Sequence, residues 1–468
     1  MVAVLLTFNF SKPDSVNSSS PSTFKWDVGN SSFGYSAASL HSATDSLILY
    51  NKSSSVSPAP KIKLGGGGGG GGGGSSSLDN LEARLAEARA SIKRALILGN
   101  NSSSIYHQDP DFVPRSQVYW HPNAFHRSYL EMEKLLKIYI YEEGEPPLFH
   151  DGPSRNIYST EGRFIHEMEK GKLFRTTDPN RPVVFFLPFS VAKMVTYLLH
   201  NRNRMQRVVI DYMNLIAHAH PFWNRSRGAD HFMLSCHDWG PLTTSFVPYL
   251  FHNSIRVLCN ANTSERFKLF KDASFPEINI HRRAFTIHGG RSPSARSILA
   301  FFAGQLHGHI RYLLLKQWKN KDQDVQVYGE LPAGMSYEEM MKSSKFCLCP
   351  SGYEVASPRV VEAIFAECVP VLINDGYIPP FSDVLNWKLF SVEIKVKDIP
   401  NIKDILMGIS TRRYLELQRR VKEVQRHFVV NGTPKRYDVF HMTLHSIWLR
   451  RLNVRIQDHG TQSSTPMS

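Results

Sequence analysis

Phe346–Asn374, FCLCPSGYEVASPRVVEAIFAECVPVLIN, decides the fold. The apolar run FCLC ends at Pro350, a polar turn follows, and Ser357-Pro358 opens an apolar-patterned helix that gives way to VPVLIN. Strand, helix and strand joined by short turns form the unit of a parallel sheet, because parallel strands need a crossover between them. Ser357 suits the capping position before the helix and Pro358 its first residue. Arg359 and Glu362 then stand three residues apart, on nearly one face of the first turn. Parallel sheets bind ligands beyond the carboxyl ends of their strands. There a helix start favours an anion, a guanidinium matches phosphate oxygens, and a carboxylate suits vicinal ribose hydroxyls. These residues fit a nucleoside diphosphate; an Arg–Glu pair on a solvated face fits the same spacing.

The alternation extends both ways. ILAFFAG, IRYLLLKQWKN, VQVYG and SYEEMMKSSK continue it upstream, and Gly304–Gly308 makes an unobstructed turn that places Arg311 early in its helix, a second candidate phosphate contact. KIYIY, GRFIHEMEKG, PVVFFLPF, SVAKMVTYLLHN, HFMLSCHDWG and IRVLCN form an earlier series. Two doubly wound α/β lobes facing a cleft follow from this pattern. In the earlier lobe Asp230, His231, His237 and Asp238 cluster around one strand. A His-Asp pair past a strand end suits an acceptor hydroxyl or a general base; a turn capped by Asp238 beside a packed Trp239 fits equally. His218 and His220 lack a carboxylate or thiolate at ligand spacing, so no metal is expected.

The 468 residues, 42% apolar, suit two domains and an irregular tail, and a formal charge of +14 suits an anionic partner. No long Lys/Arg block appears, so nucleic acid is not indicated. The expected divisions are a disordered Ser/Gly-rich tail over 1–77, a stem helix and linker over 78–117, an N-terminal lobe over 118–296, a C-terminal nucleotide-binding lobe with return helix over 297–453, and a flexible tail over 454–468. Gly65–Gly74 has no strand before it and no Lys-Ser/Thr after it, so it reads as linker. In the stem helix Leu81, Leu85, Ala88, Ile92 and Leu96 make an apolar stripe suited to homo- or hetero-association.

Five cysteines show no metal-ligand spacing. Buried free thiols are expected, with one disulfide open in an oxidising compartment. Asn-x-Ser/Thr sequons at Asn17, Asn30, Asn51, Asn100, Asn101, Asn224, Asn262 and Asn431 point weakly to a secretory lumen. No stretch approaches the ~20 apolar residues of a spanning helix, and MVAVLLTFNF is too short for an anchor.

KIYIYEEGEPPLFHDGP, IYSTEGRFI, VFFLPFSV, HPFWNRSRGADHFMLSCHDWG, ILAFFAGQLHGHIR and the opening stretch resemble the plant exostosin-like glycosyltransferases of family 47, over about Leu135–Asn453. SCHDWG is similar to the xylogalacturonan xylosyltransferase branch. The resemblance implies a GT-B fold and inverting transfer from a nucleotide sugar, expected to be a UDP-sugar, to a wall polysaccharide such as pectin or hemicellulose. It further implies a lumenal, type II Golgi protein working without a metal. By motif, the donor site falls on Gly304, Arg311, Ser357, Arg359 and Glu362, and the acceptor side or base on His237 and Asp238. The chain departs from the family in showing no hydrophobic anchor. Its loop Asn279–Arg296 is also more basic than the family leads one to expect, suiting a polyanionic acceptor or a plain solvated linker. The rival reading is a non-catalytic glycan-binding or partner subunit; a soluble cytosolic nucleotide-binding protein is a third.

Overall fold

The computed structural model describes residues 77–98, 112–280 and 289–456. The expected Ser/Gly-rich tail, most of the linker, the middle of the Asn279–Arg296 loop, the final residues and the sequons from Asn17 to Asn101 lie outside these ranges.

Two five-stranded sheets, parallel throughout, carry the fold. The first runs in chain order: β1 (Ile138–Ile140), β2 (Val184–Phe186), β3 (His231–Ser235), β4 (Ile255–Leu258) and β5 (Ala273–Ser274). The second contains β6 (Ile298–Ala303), β7 (Val325–Tyr328), β8 (Ser344–Pro350), β9 (Val369–Ile373) and β10 (Val392–Glu393), in the spatial order β10-β9-β8-β6-β7. The strands β2, β3, β4 and β9 are buried along their whole length, as expected for sheets covered on both faces. Two parallel sheets give the two α/β lobes that the strand–helix alternation leads one to expect. Five helices matter below: α1 (Ser77–Leu98), α2 (Pro122–Leu135), α3 (Ser159–Lys170), α4 (His309–Trp318) and α5 (Arg359–Phe365).

The chain finishes in α6 (Val439–Leu452), which returns to the first lobe against β4, β5 and α2. Thirteen of its residues are buried, polar ones included, so it is packed on every side and its sequence shows no helical period. Arg450 ties the lobes together: it donates to the carbonyls of Asp272 and Leu269 in the first lobe and pairs with Asp383 in the second. Arg451, 1% exposed, donates to Val183 O and pairs with Glu82 of α1. A buried guanidinium is tolerated only when so partnered.

That last contact corrects the stem reading. Leu85, Ala88 and Ile92 are buried in the main core, and Arg89 donates to Leu452 O (2.7 Å) and Val454 O (2.8 Å). The stripe expected to serve self-association is occupied by the chain's own first lobe. The thiols need a second correction. Cys236–Cys259 and Cys347–Cys368 are disulfides, and only Cys349 is free and buried. Each closes a loop of about twenty residues, worth roughly 3 kcal/mol by loop entropy. Among the described residues no helix is long and apolar enough to cross a membrane.

Leu85→Ala is expected to cost about 2–4 kcal/mol of unfolding free energy, by loss of a side chain with no exposure. Chemical denaturation of the full chain checks this. An unchanged midpoint would mean that α1 does not dock.

Candidate active site

The carboxyl ends of β6 and β8 meet behind two tight loops. Gly308 ends the first with φ +87°, a left-handed conformation, and a Cβ there would collide with Gly352 O. Only glycine lets the backbone of 305–308 lie against Gly352-Tyr353. From this floor rise two arginines, Arg311 in the first turn of α4 and Arg359 at the start of α5. Arg359 Nη2 donates to Ala303 O (3.1 Å) and its guanidinium lies over the Phe302 ring at 5.1 Å. A Cβ at Gly304 would overlap that guanidinium, so Gly304 leaves it room. The Nε atoms of both arginines are buried without a hydrogen-bond partner, and among the described residues neither arginine has a carboxylate at ion-pair distance. Burial and the neighbouring Arg359 charge lower Arg311 to about 10, which leaves it a cation at neutral pH. His307 is also pushed down, by burial and by both arginines.

The sequence reading of the helix opening needs correction. Pro358 is already helical and holds the capping position, while Ser357, 4% exposed, makes no side-chain hydrogen bond. The N–H groups of Val360, Val361 and Glu362 donate to the carbonyls of Ser357 and Pro358. Those three amides are therefore engaged within the chain, and the guanidinium groups of Arg311 and Arg359 stand beside them as further donors. Glu362 accepts from the Tyr337 hydroxyl (2.9 Å), beside the arginines as expected.

On the first lobe the four residues of the GADHFMLSCHDWG stretch separate. Asp230 and His231 lie at the amino end of β3, in a buried network: His231 Nδ1 meets Asp230 Oδ1 at 2.7 Å, Tyr141 hydroxyl meets His231 Nε2 at 2.7 Å, and Arg225 pairs with Asp230. They are core. His237 and Asp238 lie beyond its carboxyl end, in a turn fixed by Glu161. This carboxyl, fully buried at the start of α3, accepts from the backbone N–H of Cys236 (2.8 Å), His237 (3.4 Å) and Ala192 (3.1 Å) and from Ser190 Oγ. Burial raises its pKa, and those four donors oppose the rise. The Cys236–Cys259 disulfide braces the same turn.

His237 accepts the Trp239 N–H at Nδ1 (3.1 Å), so its neutral ring carries the proton on Nε2 and is set to donate. Burial, with His200 adding to it, lowers its pKa to about 4. Asp238 accepts from the Tyr158 hydroxyl (3.1 Å), and burial raises its pKa against that bond. His218 and His220 gather no third ligand: His220 meets Glu143 (2.5 Å), and among the described residues no group of three His, Cys, Asp or Glu is placed to hold a metal. Of the basic loop, Arg296 is 2% exposed and donates to the carbonyls of Ser344 and Ala366, a structural role.

Sequence reasoning passed over three acidic residues of the crevice: Glu277, Glu265 and Glu354. Glu277 is 5% exposed. Its pKa is raised well above the carboxylate range by burial and then by Asp238 and Glu362, against the pull of Arg311 and Arg359. Glu354, in the loop before α5, receives Asn260 Nδ2 (2.8 Å), which also reaches Glu265 (3.2 Å). Glu277 and Glu354 lie in irregular loops and Glu265 ends a single 3-10 turn, Thr263–Glu265, so none of the three carries a periodic signal; only the folded neighbourhood marks them.

The family model described as the exostosin GT47 domain matches residues 132–409. The chain belongs to the exostosin GT47 family. It is 59% identical over 388 residues to the probable glycosyltransferase At5g03795 of Arabidopsis thaliana, covering 82% of this chain and 74% of the relative. The probable glycosyltransferase At3g07620 of the same plant is 54% identical over 382 residues, with coverage of 80% and 81%. The probable glucuronoxylan glucuronosyltransferase IRX7, also from Arabidopsis thaliana, is 26% identical over 349 residues, with coverage of 67% and 76%. The chain is a glycosyltransferase.

Burial first, then Glu265 and Asp238, raise Glu354 to about 8. A raised carboxyl favours folding below its unfolded pKa of about 4.5, and that contribution is lost as pH rises toward 8. Glu354→Gln keeps an acceptor for Asn260 and removes the charge. It should stabilise the protein by about 1–3 kcal/mol at pH 7–8 and change little at pH 4. Thermal melts across that range test this; equal effects at both ends would refute the assignment.

Proposed function

We propose that this enzyme transfers a sugar, with inversion, from a UDP-sugar to a plant cell-wall polysaccharide such as pectin or hemicellulose, in the Golgi lumen. The observation that carries the donor half is the pair Arg311 and Arg359, two cations at neighbouring strand ends with no carboxylate among the described residues paired to either. Like charges so placed repel, and a diphosphate joins them favourably through charge-assisted hydrogen bonds. Gly304 and Gly308 keep the approach open, Ser357 offers an unengaged hydroxyl, and Glu362 with Tyr337 suits the ribose. As the bond to the anomeric carbon breaks, charge grows on the leaving diphosphate, and the fixed guanidinium groups stabilise it there. That makes a bound metal unnecessary in this reading.

The acceptor half rests on the opposite wall. His237 presents an Nε2–H and Asp238 a carboxyl, both held by the Glu161 scaffold, and both suit sugar hydroxyls. The wall-polysaccharide class is supported by the relative named as a glucuronoxylan glucuronosyltransferase. The two disulfides, and the exposed Asn224 within its sequon, favour an oxidising secretory lumen.

Calorimetric titration with UDP tests the donor site. Wild type should bind, and Arg311→Ala and Arg359→Ala should each weaken binding at least about tenfold. Gly304→Ala should weaken it as well while the fold persists, because the group it crowds is the end of a flexible side chain. Unaltered UDP affinity in both arginine variants would overturn the reading.

A further inference from the structure

Inverting transfer needs a group to take the proton of the attacking hydroxyl, and the acidic and imidazole side chains of the crevice differ in how far each is already engaged. His237 has its Nδ1 lone pair occupied by the Trp239 N–H. Asp238 is held by the Tyr158 hydroxyl and Glu362 by the Tyr337 hydroxyl. Glu265 and Glu354 share the Asn260 amide. Glu277 alone among these has no hydrogen bond to any described residue, although it is 5% exposed.

Its position is nevertheless fixed. The backbone on either side is pinned to the start of α3: Thr160 Oγ1 donates to Pro276 O (3.1 Å) and Ser159 Oγ to Ile278 O (3.0 Å). Ser159 Oγ also receives the Ile280 N–H (2.9 Å). A loop with neither helix nor strand is thereby held on both sides of one carboxyl. The groups whose charges meet there come from both lobes. Asp238 acts from the first lobe, and Glu362, Arg311 and Arg359 from the second. The Tyr158 and Tyr377 hydroxyls feel Glu277 in turn. Glu277 thus stands where the donor and acceptor halves of the crevice meet.

We propose that Glu277 is the general base of the transfer, accepting the proton of the acceptor hydroxyl. This rests on the donor-site reading above. The hydroxyl proton passes to a Glu277 carboxylate oxygen while the acceptor oxygen bonds to the anomeric carbon of the nucleoside-diphosphate sugar. The bond from that carbon to the β-phosphate oxygen breaks, and its electron pair leaves on the diphosphate, opposite Arg311 and Arg359. Glu277 then releases the proton to solvent as the products depart. Burial and the nearby Asp238 and Glu362 charges make the carboxylate more basic than usual, and the two arginines oppose that rise. The same arginines offer Glu277 a purely structural role as their counter-charge, although no ion pair within 4.0 Å forms. The two roles predict different kinetics.

Glu277→Gln and Glu277→Asp are compared with wild type by UDP calorimetry and by UDP release. The release assay uses UDP-xylose and UDP-glucuronate with xylan and pectin oligosaccharides. The proposal expects Glu277→Gln to keep UDP affinity and donor KM within about threefold. Its kcat should fall about 10²–10⁴-fold, and the acidic limb of the kcat–pH profile should disappear. Glu277→Asp should retain that limb at reduced kcat. Near-normal kcat in Glu277→Gln overturns the proposal, as does a fall in kcat matched by an equal fall in UDP affinity. Wild type that binds no UDP overturns the donor-site reading itself, a failure distinct from a Glu277→Gln variant that binds UDP and turns over normally.

Discussion

Two guanidinium groups set at neighbouring strand ends, with no carboxylate among the described residues paired to them, are the constraint around which this crevice is built. Parallel strands must be joined by crossovers, so each sheet gathers the turns after its strands along one edge. In the second lobe that edge holds the turns after β6 and β8, whose helices begin with Arg311 and Arg359. The turns approach each other only because Gly308 supplies a left-handed backbone against Gly352 and Gly304 lacks a side chain beside Arg359. The charge repulsion is sustained by the surrounding fold, and binding an anion relieves it.

The facing wall is lined with carboxyls whose pKa values burial raises. Asp238, Glu265 and Glu277 reach the crevice from the first lobe, and Glu354 joins them from the second. Under the proposed reading, a carboxyl-lined wall opposite a cationic one separates the tasks of glycosyl transfer: one side stabilises the leaving group and the other manages hydroxyl protons. Glu161 contributes at one remove, spending its buried carboxyl on three amides and a hydroxyl so that the His237–Asp238 turn has one conformation. Arg450 does the equivalent for the lobes by binding both.

The second sheet was legible because its strands are apolar runs of the right length and its helices carry caps and turn residues. Arg311, Arg359 and Glu362 were legible because they stand at fixed offsets from strand ends. What escaped has a physical reason in each case. Helix α6 is buried all round and so has no amphipathic period. The helix Arg202–Ala219 was also passed over, although Asn201 caps it. Disulfide pairing depends on which strands become neighbours, and β3 beside β4 brings Cys236 to Cys259. The helix-start amides at Pro358 looked free from the residue types, yet those of Val360, Val361 and Glu362 bond back to the Ser357 and Pro358 carbonyls. Glu277 lies in a loop whose sequence, FPEINI, looks like any connection until its partners are known.

The account stands on where the diphosphate sits, and a structure of the full chain bound to UDP measures that directly. It predicts phosphate oxygens within about 2.7–3.2 Å of guanidinium nitrogens of both Arg311 and Arg359, between the ends of β6 and β8. A diphosphate seated elsewhere, or both guanidinium groups turned away from it, would contradict it.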